Sequence, residues 1–141
     1  MKSRERLFKD CNTKNYIQEY LHIPLINKYF YFFYGEEKAI ANKLNLMFPD
    51  MDFNDKMTAQ QITLTNETLG EKVYIIRMRK LLDRQVIPLI CHESIHLSAE
   101  VMVETGHDLT NIHYNSELMA TVAQNITGVC YDVYKKFNKR K

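Results

Sequence analysis

His92 and His96 stand four residues apart, with Glu93 between them. A helix turns about 100° and rises about 1.5 Å per residue. Residues four apart therefore share a face, and both imidazoles can reach one zinc ion. Glu93, one step round the helix, reaches a water on that metal rather than the metal itself. Two nitrogen ligands and one carboxylate suit hydrolysis: the metal lowers the pKa of water and the carboxylate serves as general base. The flanks, Val86-Ile-Pro-Leu-Ile-Cys91 before the motif and Ile95, Leu97 and Ala99 after it, are among the least polar of the chain. A buried helix is expected, and buried histidines with a glutamate need partners, which a metal would supply.

A catalytic zinc takes three protein ligands and keeps its fourth position for water. Downstream of the motif the candidates are Glu117, His107, His113 and Asp108. Glu104 is excluded, since it lies eight residues, about 12 Å, along the same helix from His96. Cys91 points about 100° away from its neighbour His92 and reads as an apolar filler.

These residues need elements to hold them. Asp83 and Gln85 lie near the start of the motif helix, and Pro88 belongs in a first turn, so the helix is predicted to begin near residues 84 to 87. Gly106 supplies its left-handed cap. Residues 107 to 114 form a connection, and Asn115 or Ser116 caps a last helix with the apolar stripe Leu118, Val122, Ile126, Val129, Val133 and Phe137. Upstream, residues 3 to 22 read as a short N-terminal helix ended by Pro24, and residues 25 to 34 as an aromatic-rich buried strand. Residues 36 to 48 read as an amphipathic helix stopped by Pro49. The acidic run from Asp50 to Asp55 lacks the glycine and terminal glutamate of a calcium loop and reads as a solvated turn. Residues 62 to 65 and 72 to 78 read as a hairpin. Its second strand, Val73 to Met78, reads first as an ordinary sheet strand, with an edge that pairs with an extended substrate as the functional alternative.

Two readings compete for Glu117. One is a charge that stabilises a helix N-terminus. The other comes from a resemblance: Asn115-Ser-Glu-Leu-Met-Ala120 looks like the second motif of the gluzincins, the thermolysin-like metallopeptidases, and the order of elements resembles small zincin-like domains of bacteriophages and of ImmA/IrrE-type proteins. The specific match is His92 to His96 with Glu117 to Ala120, within a span of about residues 25 to 136. The resemblance implies an α+β zincin-like fold, a short antiparallel or mixed sheet against the motif helix and a C-terminal ligand-bearing helix. It implies Zn2+ held by His92, His96 and Glu117, with Glu93 as general base on a peptide or protein substrate. His113 and Tyr114 are the candidates for a second oxyanion donor, with His107 third. Where thermolysin has an orienting aspartate four residues beyond the ligand glutamate, this chain has Thr121, which implies another orienting group or a weaker site. The motif lacks the third histidine of the metzincins.

The remaining composition sets bounds. The 141 residues fit one domain, with residues 1 to 24 as a helical extension, and there is no repeat or linker. Three widely spaced cysteines and an N-terminus without an apolar core point to the cytoplasm. No apolar run reaches the length needed to span a bilayer, so no membrane partner is expected. A net charge of +2 does not call for a polyanion. The competing functions are a zincin-fold binding protein, such as a phage factor that engages a host protein, and a nucleic-acid-binding module built on Lys135-Lys136 and Lys139-Arg140-Lys141.

Overall fold

In the computed structural model, which describes residues 2–66, 71–106 and 112–139, two helical layers enclose a five-stranded mixed sheet. The chain runs α1 (Lys2–Leu7), β1 (Cys11–Asn12), β2 (Tyr16–Ile23), β3 (Lys28–Gly35), α2 (Glu37–Met47), β4 (Ala59–Asn66), β5 (Glu71–Arg79), α3 (Asp83–Glu104) and α4 (Ile112–Asn138). The strand order is β1-β2-β3-β5-β4, with β3 and β5 parallel and the other neighbours antiparallel. This is the expected α+β class.

The central pair explains the two apolar runs. Phe30, Phe32 and Tyr34 of β3, with Tyr74, Ile76 and Met78 of β5, face a core shared with α3 and α4. Phe33 and Ile75 face the opposite way, against Ile40, Leu44 and Met47 of α2. Strands covered on both faces read as continuous apolar stretches. β5 is thus an interior strand, paired with β3 through Tyr31↔Ile75 and with β4 through Ile62↔Ile75. The reading of Val73 to Met78 as an ordinary sheet strand holds and the alternative, a substrate-pairing edge, is corrected, because its backbone pairs with a strand on each side. β4 is the edge instead, with the more polar sequence AQQITLTN.

The N-terminal helix is also corrected. Only Lys2–Leu7 is helical, and Tyr16–Ile23 is a strand that pairs along its whole length with β3. Tyr16, Ile17, Tyr20 and Leu21 satisfy a loose helical spacing, but β-branched Ile17 and the aromatic Tyr16 and Tyr20 suit a half-covered strand. A tight turn follows, where Asn27 N–H donates to the Pro24 carbonyl at 3.3 Å and Asn27 adopts a φ of 50°.

Gly35, which ends β3, is required by a close approach. Its φ is 144°, and a Cβ there would stand 2.4 Å from the Asn15 carbonyl oxygen and 2.6 Å from Tyr16 Cα. The same crossing lets Glu36 N–H donate to the Asn15 carbonyl at 2.8 Å.

α3 begins at Asp83, so Pro88 is its sixth residue, beyond the expected first turn. Pro88 offers no N–H to the Arg84 carbonyl, and both residues are exposed, where solvent can substitute. Gln85 Oε1 accepts from Leu82 N–H at 3.3 Å and caps the start, while Gly106, at φ 88°, ends the helix as expected. Against the expectation that no apolar run is long enough, length and apolar composition alone would let α3 cross a membrane. Val86, Ile90, Leu97 and Val101 are instead packed into the core between sheet and α4.

Candidate metal centre

α3 is apolar nearly all round, so which of its faces is buried decides where the motif points. Val86, Ile90, Glu93, Ser94, Leu97, Ser98 and Val101 face inward. His92 and His96 lie on the exposed side, the His92 side chain being 63% exposed. The expectation of buried histidines is therefore reversed: the imidazoles are open to solvent and the glutamate is covered, at 6% exposure.

Two contacts fix the helix. Its first residue, Asp83, accepts a hydrogen bond from the Tyr134 hydroxyl near the end of α4. Toward its other end, Ser98 Oγ donates to the Met119 carbonyl at 2.9 Å. Burial and the Asp83 carboxylate push the Tyr134 phenol up to about 12.

The two imidazoles converge. His92 Nε2 and His96 Nε2 are 3.2 Å apart, with ring centroids 4.8 Å apart and planes crossing at 76°. Two nitrogens each about 2.0–2.1 Å from one tetrahedral zinc would stand about 3.3 Å apart, so the observed spacing matches one edge of that tetrahedron. It also fits a direct hydrogen bond in which one ring N–H donates to the other ring. Glu93 Oε2 is 3.8 Å from His92 Nε2. A buried carboxylate so placed favours a cation beside it.

Glu117 does not join them. α4 starts at Ile112 rather than at residue 115 or 116, which places Glu117 in the second turn, exposed to solvent. The Ser98–Met119 bond sets its turn beside α3, level with residue 100, roughly 6 Å beyond His96 along the axis. Among the described residues, no group of three or more His, Cys, Asp and Glu side chains comes together to hold a metal. His107 and Asp108 lie outside the described residues, as do the side chains of His113 and Tyr114. Thr121 Oγ1 donates to the Glu117 carbonyl at 2.9 Å within its own helix, so its hydroxyl orients no histidine.

Of the basic residues at the end of α4, Lys135 and Lys136 are engaged, while Arg140 and Lys141 lie outside the described residues. Lys136 Nζ lies 2.7 Å from Glu19 Oε2, and Lys135 Nζ lies 3.7 Å from Asp132 and 4.9 Å from the centre of the Tyr131 ring. Sequence reasoning missed β4 as the edge strand. The signal was available, since polar residues recur through Ala59–Asn66 while Val73 to Met78 is almost wholly apolar. Comparison with known proteins found no matching family model, no matching curated protein and no matching solved structure.

Proposed function

We propose that this chain is a zinc-dependent metallopeptidase of minimal gluzincin type, acting in the cytoplasm on peptide or protein substrates. The observation that carries the reading is the His92–His96 nitrogen spacing of 3.2 Å, with the covered Glu93 carboxylate 3.8 Å from His92. His92 and His96 would hold the metal, and Glu117, carried over from the gluzincin resemblance, would be the third donor. Glu117 then has to swing in as the metal binds, in keeping with sites that form only on loading. Zinc would supply Lewis acidity, acidifying a water molecule and polarising the scissile carbonyl.

The chain's own residues do the rest. Glu93 Oε2 accepts the water's proton and returns it to the leaving amine nitrogen. Glu93 Oε2 is held 3.8 Å from His92 Nε2, beside the proposed metal position, which is where that transfer takes place. His113 or Tyr114, in the first turn of α4, would donate to the tetrahedral oxyanion. An extended substrate would add to the edge of β4, whose outer side pairs with no other strand among the described residues.

The exposed position of Glu117 favours a second reading, a zincin-fold binding protein whose site holds metal weakly or not at all. An assay on a mixed peptide pool separates the two. The first reading predicts chelator-sensitive cleavage that Glu93→Gln lowers by about 10²-fold or more while zinc content is kept. Cleavage that survives Glu93→Gln would reject it.

A further inference from the structure

α3 carries a second pattern on its solvent side. Gln85, Leu89, His92, His96, Ala99 and Val103 follow one another at spacings of four, three, four, three and four, so they share one face; Leu89, Ala99 and Val103 are its apolar members, and Leu89 also packs against the core. Gln85, His92, His96 and Val103 are exposed, and Leu89 and Ala99 are half-covered. Beside this face, Ile95 is 51% exposed, and Val103 within it is 59% exposed. The histidines sit at its centre with two donors of one tetrahedral edge, and the described residues offer no third.

We propose that this face binds a second copy of the chain, with one zinc ion held by His92 and His96 of both copies. A tetrahedron has two opposite edges related by a two-fold axis, so a half-site with one edge is completed by its own copy. In an antiparallel pairing centred on residue 94, His92 lies level with the second copy's His96 and Leu89 with its Ala99. A large residue meets a small one at each outer step, and Gln85 lies level with Val103. The two exposed Ile95 side chains approach across the axis. Four neutral imidazoles leave the ion's charge uncompensated, and the two Glu93 carboxylates, each 3.8 Å from its own His92 Nε2, offset it.

One helix crossing falls at the small end of stable interfaces, which begin near about 1,200 Å² in total, so the pairing depends on the metal. The dimer also has every metal position filled by protein. It is therefore a latent form, and it excludes the hydrolytic arrangement, which keeps one position open. The inference rests on the same histidine pair as the proposed peptidase but not on catalysis.

The test is native mass spectrometry with light scattering on the full chain, titrated with zinc alone, for the native protein and for Ala99→Arg. That variant keeps all donors and sets a cation against the second copy's Leu89. The expected result is a doubling of the 16.8 kDa mass with one zinc per two chains, reversed by chelator, and a monomer for Ala99→Arg with an unchanged circular dichroism spectrum. One zinc per monomeric chain would overturn the dimer and leave the peptidase reading standing. A dimer that persists in chelator or in Ala99→Arg would overturn the pairing. No zinc at all would end both readings.

Discussion

Leu97 and Ile95 lie two residues apart on α3 and, by their burial, on opposite faces. Leu97 is 0% exposed and packs in the core with α4 and the sheet, whereas Ile95 is 51% exposed. Truncating a fully buried leucine loses its transfer free energy and leaves a cavity, about 3 kcal/mol in a packed site. Truncating the half-exposed isoleucine is expected to cost about 0.5 kcal/mol. For a chain of this length the unfolding entropy is roughly 0.3 kcal/mol per kelvin, from about 2.1 cal/mol/K per residue. Leu97→Ala should then lower Tm by about 10 °C and Ile95→Ala by about 2 °C. Thermal melts in chelator, followed by circular dichroism, measure both on the zinc-free monomer. Equal shifts, or a larger shift for Ile95→Ala, would mean that α3 is rotated from the orientation described. The histidines would then not face solvent, and the metal-centre argument would fail.

Gly35→Ala should destabilise by more than about 2 kcal/mol, because the added methyl would stand 2.4 Å from the Asn15 carbonyl at a φ of 144°; a melt within 2 °C of native would refute the close approach. Tyr134→Phe removes the bond to Asp83 and should cost about 1–2 kcal/mol at neutral pH, read by urea unfolding, whereas no change would show that the contact does not hold α3. Tyr134 and Tyr31 phenols are pushed up to about 12, both chiefly by burial, with Tyr20 and Asp10 adding to the shift at Tyr31. A phenol whose folded pKa is raised contributes fully below pH 10, and that contribution is lost as pH rises from 10 to about 12. Stability should therefore fall across that window, less steeply in Tyr134→Phe and in Tyr31→Phe; a flat profile would contradict the shifts.

Much of this was legible in the sequence for physical reasons. The limits of α2 and α3 follow from local signals: a proline after α2, an acidic residue in the first turn of each and Gly106 after α3. The β4–β5 hairpin follows from alternation in residues 62 to 65 and from the β-branched, apolar run of residues 73 to 78, and Ile62↔Ile75 gives the antiparallel register. What was not legible depends on partners distant in the chain. Tyr16–Ile23 becomes a strand because β3 is there to pair with it, a tertiary preference that outweighs loose helical spacing. Likewise, apolar residues recur on the exposed side of the motif helix too, at Ile87, Ile95 and Val103, so periodicity could not say which side would face α4. Covered Glu93 and open His92 and His96 emerge only from packing. The start of α4 at Ile112 was also missed, because helix continuity overrode Asn115 and Ser116 as caps.

The central claim is that His92 and His96 together hold zinc. Its most direct test is a zinc titration by calorimetry at dilute protein, comparing the native chain with His92→Ala, His96→Ala and Glu117→Ala. The account predicts a single class of sites in the native chain, an affinity at least about 100-fold weaker in each histidine variant, and folded circular dichroism spectra throughout. A drop of similar size in Glu117→Ala would add the third donor. Native-like zinc affinity in either histidine variant, or no zinc binding by the native chain, would contradict the account.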